Sequence, residues 1–171
     1  VTEFFEGRPL GELLRSGALG TVKEVHIWTD RPAGYWKQSP TVTKRPAPQK
    51  PPKSVHWDLF LGPAPERPYA PGYHPFAWRG WRDFGTGALG DMACHIANMP
   101  FMGLNMRDPT AVVAETSGHD HDSYPAKSKV QFDFPELDGR APLSFYWYDG
   151  TALPPQHPYA GFCAPGEPGT A

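Results

Sequence analysis

Proline placement constrains the fold of this chain more than any other sequence feature. Between Arg31 and Lys53 each proline removes a backbone N–H donor, and the six prolines there stand at positions 32, 40, 46, 48, 51 and 52. Regular structure is excluded, so we predict an extended loop anchored by Tyr35 and Trp36. The 22 prolines and 18 glycines approach a disordered composition, but six tryptophans and 13% aromatic residues indicate a folded domain with long ordered loops.

Regular elements are predicted on either side of this loop from apolar periodicity and turn residues. Helices are predicted over Pro9–Ser16 and over Ser54–Leu61 with Ser54 as the cap. A third helix is predicted to follow the glycine-containing loop after Phe84 and to reach Met102, with Pro100 kinking or ending it. Strands are predicted over Thr21–Asp30, Thr110–Thr116, Lys127–Phe134 and Pro142–Tyr148. The last three follow one another directly, which indicates an antiparallel meander.

The predicted fold class is α+β, with a mainly antiparallel sheet, helices packed on one face and long loops rich in proline and glycine. The folded domain should comprise residues 1–153. Residues 154–171 are rich in proline, glycine and alanine without any periodicity, and we predict a disordered tail there.

The segment Gly85–Asn98 (GTGALGDMACHIAN) is typical of a loop that enters a helix, because three glycines precede an apolar run. Asp91 and His95 are four residues apart, so a helix places them on one face, with Asp91 in its first turn. A carboxylate beside an imidazole can transfer protons. The alternative is structural, with Asp91 as a helix cap and His95 half buried, and spacing alone favours it. The glycines match G-x-G-x-x-G, but no strand precedes them, so we reject a dinucleotide site here.

The aromatic loop between Arg67 and Phe84 is a second candidate site. Flat apolar rings beside a guanidinium suit a ring-shaped polyol such as a sugar, and the candidate substrate-binding residues are Tyr73, His74, Trp78 and Arg79. The alternative is that the rings pin a long loop onto the domain. Because this loop leads directly into the segment with Asp91 and His95, we expect both features in one neighbourhood.

Charge and composition exclude several functional classes. A net charge of −2 and a pI near 6.4 provide no basic surface for nucleic acid. No apolar run approaches the roughly 20 residues that span a bilayer, and the polar sequence after Val1 predicts no signal peptide. Cys94 and Cys163 are expected as free thiols and assign no compartment. The His119–Asp122 run (HDHD) is better interpreted as a solvated turn than as a metal site, so no metal is expected.

The order of the segments resembles the C-terminal half of bacterial Gfo/Idh/MocA-type oxidoreductases. The matching stretches are LLRSGALGTVKEVHIWTDRP, VHWDLFLGPAPERPY, HPFAWRGWRDFGTGALGDMACHIANMPF, AKSKVQFDFP and FYWYDG. Together they cover most of residues 8–153, and the long middle stretch is the specific one.

The resemblance implies an N-terminal Rossmann domain for NAD or NADP, followed by a C-terminal α/β domain whose sheet often forms the oligomer interface. Substrates of such enzymes are mostly sugars, inositols and related polyols. The family's Asp-x-x-x-His pair falls on Asp91 and His95; the histidine acts as acid and base at the reacting hydroxyl, and the aspartate orients it or binds the polyol. This chain lacks the nucleotide domain and its Glu-Lys-Pro segment, which implies a partial member that holds no cofactor and transfers no hydride by itself.

The resulting hypothesis is the substrate-binding and oligomerisation domain of an NAD(P)-dependent sugar or polyol oxidoreductase, with a homo-oligomer formed through the sheet. Two alternatives stay open. One is an NAD-dependent glycosidase, a chemistry known in the same family, in which oxidation of the sugar permits elimination of the leaving group. The other is a non-catalytic carbohydrate-binding or assembly module, which the missing cofactor domain favours.

Overall fold

A four-stranded mixed sheet forms the centre of the computed structural model, which describes residues 11–38 and 44–155. The strands run in the order β1-β4-β3-β2 and comprise Glu24–Trp28 (β1), Ala111–Thr116 (β2), Ser128–Phe134 (β3) and Leu143–Asp149 (β4). The strands β2, β3 and β4 form the predicted antiparallel meander, whereas β1 lies parallel to β4. The prediction of a mainly antiparallel sheet is therefore wrong. No hairpin fixes the direction of β1, because its partner lies more than a hundred residues further along the chain.

One face of the sheet carries the main hydrophobic core. Trp147 on β4 is fully buried at its centre, and Ile27 on β1 and Val130 on β3 lie in the same cluster. Val130 shares this face with Phe132 and Phe134, as the alternation along β3 predicts. Helical residues cover the face, and those packed against the core are Leu89, Met92, Ala93 and Ile96. One helix, formed by Gly87–Ile96, therefore packs on this face of the sheet.

The helices are short. Residues 11–15 are helical. Three further α-helices follow in the described chain: α1 (Trp57–Leu61), α2 (Gly87–Ile96) and α3 (Asn98–Gly103). A 3-10 helix, η1 (Ala77–Gly80), precedes α2. The residue preceding α1 is His56, and no side chain caps this helix. The prediction of Ser54 as the cap is therefore wrong. Ser54 lies in a turn closed by a hydrogen bond from the Val55 amide to the Pro52 carbonyl, at 2.9 Å, so it stands outside the helix.

Pro100 divides the helix that was predicted to reach Met102. Helix α2 ends at Ile96, four residues before the proline, where the proline ring would meet the helical carbonyl. The chain then starts α3, in which Pro100 is the third residue and its missing N–H needs no helical acceptor. Helical structure is thus interrupted at Ala97, three residues before Pro100, and continues to Gly103.

A second cluster orders the proline-rich and aromatic loops. Ala70, Tyr73 and Trp81 are buried together, with Trp57 and Phe84 packed against them. Trp36 is also buried, as its predicted role as an anchor requires, whereas Tyr35 is exposed. The extended loop contains no helix or strand over 31–38 and 44–53, the part of it that the structure describes.

Several predictions fall partly or wholly outside the described residues. These are residues 1–10 of the predicted domain with the helix start at Pro9, the free thiol at Cys163 and the predicted tail from residue 156 onward. Within the described ranges, no helix is long and apolar enough to cross a membrane.

Candidate active site

Helix α2 carries Asp91 and His95 one turn apart. The helix begins at Gly87, whose φ of 65° lies in the left-handed region that glycine tolerates, and it has no side-chain cap. Asp91 is the fifth helical residue, so it stands in the second turn and not in the first as predicted. The predicted helix start is therefore too late. The alternative of Asp91 as a helix cap is also wrong, because the helix begins four residues before Asp91.

The carboxylate of Asp91 lies between two guanidinium groups. Arg79 Nε donates a hydrogen bond of 3.2 Å to Asp91 Oδ1, and Arg31 Nη1 lies 3.9 Å from Asp91 Oδ2. All three side chains are part-buried, where ion pairs are screened less than at an open surface. In the described part of the chain, Asp91 and His95 share no hydrogen bond. The arginines, not the imidazole, therefore fix the orientation of this carboxylate in the free chain.

Aromatic rings hold both arginines in place. The Arg79 guanidinium lies 4.3 Å from the ring centroid of Phe76 and 4.6 Å from that of Trp78, and its Nη1 donates to the Phe76 carbonyl at 3.1 Å. The Arg31 guanidinium lies 4.2 Å from the ring of Tyr35. Such cation–π contacts restrict long side chains that would otherwise be mobile.

The end of the sheet positions Arg31. The residue follows β1 by three positions, and its carbonyl accepts a hydrogen bond of 2.7 Å from the amide of Gly150, directly after β4. Both parallel strands therefore end beside the site. Sequence reasoning missed Arg31 as a site residue. The sequence shows only that Arg31 lies just after a strand. That Arg31 reaches Asp91 becomes visible only once β1 is known to pair in parallel with β4.

His95 is exposed on the same helix. Among the described residues its ring makes no hydrogen bond or ion pair, so both ring nitrogens are open to a ligand. Its neighbour Cys94 is also exposed and free, and its thiol lies 3.6 Å from the Asp91 carbonyl.

The four predicted substrate-binding residues separate into two pairs. Trp78 and Arg79 lie beside Asp91, in one neighbourhood as expected. Tyr73 is 2% exposed and its ring is enclosed by aromatic neighbours in the second cluster. His74 is half-buried and contacts Phe60 edge-on, with ring centroids 5.4 Å apart. A ring enclosed like that of Tyr73 has no free face for a sugar, which favours the alternative role of holding the loop.

The glycines before Asp91 serve packing within the chain. A Cβ on Gly85 would lie 2.6 Å from the Arg79 carbonyl oxygen, and one on Gly87 would lie 2.7 Å from the Tyr124 ring. These glycines follow a 3-10 helix and a turn, not a strand. This segment therefore lacks the strand-to-helix geometry that holds the phosphates of a dinucleotide, which agrees with the rejection of G-x-G-x-x-G as a fingerprint here.

The His119–Asp122 run forms a turn. The Asp120 carboxylate accepts hydrogen bonds from the amides of Asp122 and Ser123, at 3.0 and 2.8 Å. The bond from Ser123 is the main cause that lowers the pKa of Asp120 below its usual value. Within the described ranges, no group of three or more histidine, cysteine or acidic side chains could hold a metal ion.

Two cavities lie elsewhere on the molecule. One, of about 590 Å³, opens between Val22, Leu104 and Leu137 at the other end of the sheet. The other, of about 470 Å³, is lined by apolar rings that include Phe101, Phe132 and Phe145. Neither of these two cavities is lined by Asp91 or His95.

Comparison with known proteins identifies the chain's family. Residues 5–140 match the family model described as "Oxidoreductase family, C-terminal alpha/beta domain". The match includes α2 with Asp91 and His95, both flanking loops and the first three strands. A search of curated proteins finds no significant match. Since the family model covers most of the sequence, the chain belongs to the Gfo/Idh/MocA oxidoreductases and carries their C-terminal alpha/beta domain.

Proposed function

We propose that this chain is the substrate-side domain of an NAD(P)-dependent oxidoreductase that acts on a hydroxyl group of a sugar or polyol. The observation that carries the proposal is the arrangement on α2, where an arginine-held carboxylate and an open imidazole stand one turn apart. Family membership supplies the reaction class. The domain comprises residues 1–153.

His95 is the proposed acid–base residue. One of its ring nitrogens accepts the proton from the reacting hydroxyl, and it returns the proton in the reverse direction. The Asp91 carboxylate accepts a hydrogen bond from a second hydroxyl of the polyol or orients the imidazole. Arg79 holds that carboxylate, and the Trp78 ring offers an apolar face to the sugar.

NAD or NADP supplies the redox chemistry in this proposal, because no protein side chain accepts a hydride. The glycines at positions 85, 87 and 90 do not follow a strand and so do not form a dinucleotide fingerprint. In this proposal a separate Rossmann domain holds the cofactor. The contribution of this chain is therefore to bind the substrate and to move the proton.

Self-association through the sheet is part of the proposal. Strand β2 stands at the sheet edge and all six of its residues are exposed, including Val112 and Val113. An exposed apolar edge strand is an uncommon feature for a free surface and is a template for pairing.

The decisive test of the proposed function is His95→Ala in the complete enzyme that includes the cofactor domain. We expect kcat to fall by about 100-fold or more, because the acid–base group is lost. Cys94→Ala is the matched control, since the neighbouring side chain is exposed on the same helix and should leave kcat unchanged. Unchanged turnover in His95→Ala would remove this histidine from the mechanism.

The same enzyme preparation separates the alternatives. Release of nitrophenol from a nitrophenyl sugar, with the nicotinamide recycled, would indicate a glycosidase in place of an oxidoreductase. Sugar binding without turnover of any polyol in the presence of NAD and NADP would indicate a binding module.

A further inference from the structure

The charges around Asp91 do not balance. One carboxylate faces two positively charged guanidinium groups, those of Arg31 and Arg79. Two carboxylates of the neighbouring loops have other partners: Asp83 pairs with Arg67, and Asp122 pairs with Arg45. Asp30, next to Arg31 in the chain, is exposed and forms no ion pair with either site guanidinium in the described chain. Within the described residues no second carboxylate lies within 4 Å of either site guanidinium. One positive charge at the site is therefore uncompensated.

The excess charge belongs to Arg31 and not to Arg79. Two nitrogens of Arg79 already donate hydrogen bonds, to Asp91 and to the Phe76 carbonyl. The contact from Arg31 to Asp91, at 3.9 Å, is too long for a hydrogen bond. The side chain of Arg31 is 29% exposed and its plane is held against Tyr35. Its five N–H donors have no hydrogen-bond acceptor in the parts of the chain that the structure describes.

A held and open guanidinium is suited to a planar or tetrahedral anion. The fork of N–H groups binds carboxylate or phosphate oxygens in pairs, which gives both affinity and orientation. Arg31 faces Asp91, which lies one helical turn from His95. The Cβ atoms of Asp91 and His95 are therefore about 5–6 Å apart. A single hexose can place an anionic substituent at Arg31 while one of its hydroxyls lies at His95.

We infer that the site prefers an anionic sugar, with a carboxylate or phosphate group bound by Arg31 and the reacting hydroxyl at His95. This inference rests on the proposed function and narrows its substrate class. Arg31 would be a specificity-determining residue, and the neutral part of the sugar would contact Asp91 and Trp78 in either case.

The test is an NMR titration of the full 171-residue chain with matched sugars. Glucose, galactose and mannose are each compared with their uronate and their 6-phosphate. We expect at least one charged sugar to bind about 10-fold or more tightly than its neutral parent, because bonds between charged groups are the stronger class. Whether the uronate or the phosphate shows the gain identifies the anion.

Variants of Arg31 test whether this residue causes the preference for charged over neutral sugars. Arg31→Gln should abolish the difference in affinity between charged and neutral sugars, and Arg31→Lys should retain part of that difference, because a lysine keeps the charge but lacks the fork. Arg107→Gln is the matched control, since this exposed arginine lines the separate apolar cavity. If Arg31→Gln does not fold, the salt dependence of binding to the wild-type chain tests the inference. The ratio of affinities for charged and neutral sugars should decrease towards about 1 M salt, where the Debye length is about 3 Å.

Three results would contradict the inference in distinguishable ways. Equal affinity for neutral and charged sugars would overturn it while leaving the proposed function intact. A preference that survives Arg31→Gln, or that salt does not weaken, would also overturn it. If none of these sugars binds, the inference fails, whereas the proposed function is still judged by the turnover of His95→Ala in the complete enzyme.

Discussion

Asp149, at the end of β4, is 2% exposed, and its carboxylate accepts three hydrogen bonds. Its carboxylate accepts bonds from the Ser128 amide at 2.6 Å, the Ser128 hydroxyl at 2.5 Å and the Trp147 indole at 2.9 Å. Burial raises the pKa of Asp149 and outweighs these bonds, which act in the opposite direction. Folding therefore favours the protonated form of this residue.

Asp149→Asn tests this residue through the pH dependence of stability. Because the folded pKa lies above the unfolded one, the protonated group contributes stability that is fully present below the unfolded pKa and is lost as pH rises through the folded pKa. The unfolding free energy of the wild type should therefore fall relative to Asp149→Asn as pH rises across that window. Denaturant titrations from acid to neutral pH measure the difference.

Asp133→Asn is the control with the opposite sign. Hydrogen bonds from Gln131 and Ser144 lower the pKa of Asp133, so the stability it contributes is lost as pH falls through its folded pKa. Parallel pH profiles for the wild type and Asp149→Asn would show that burial leaves the Asp149 pKa unchanged.

At the scale of elements, Gly87 determines where α2 begins. Its φ is 65°, and an added Cβ would lie 2.7 Å from Cγ of Tyr124. Gly87→Ala should lower the unfolding free energy by more than the roughly 1–2 kcal/mol of a left-handed alanine, because the ring must also move. Gly118→Ala is the matched control, since φ is 86° there and nothing lies within 4 Å of the added Cβ. Equal losses in the two variants, measured by chemical denaturation, would show that the contact with Tyr124 costs nothing.

The elements also show what sequence patterns can predict. Alternation located β3 and its inward side chains, because a strand face is defined by its own residues. An aromatic run located β4 but did not assign its faces. The parallel pairing of β1 with β4 has no local signal, since it depends on a crossover through both long loops. In the same way, spacing placed Asp91 and His95 on one helix, whereas Arg31 reaches Asp91 only because β1 and β4 end side by side.

At the scale of the whole molecule, the exposed edge strand predicts self-association. Val113 is 55% exposed on the outer face of β2, away from the core. Val113→Lys should shift the chain towards the monomer, because an edge lysine opposes strand pairing. Leu59→Lys on α1 is the control, since Leu59 is exposed on another element and should leave the assembly unchanged. Light scattering after size exclusion measures the mass, and a wild-type monomer at every concentration would contradict the prediction.

Helix α2 faces two environments at once, with Met92 and Ile96 against the core and Asp91 and His95 in the site. Ligand binding at the candidate site should therefore raise the free energy of unfolding of the chain, sheet included. A ligand that binds only the folded chain shifts the unfolding equilibrium towards the native state. A substitution beneath this helix would weaken ligand binding without touching the ligand. Slower amide exchange at Trp147 would, conversely, report a molecule bound on the opposite side of the helix.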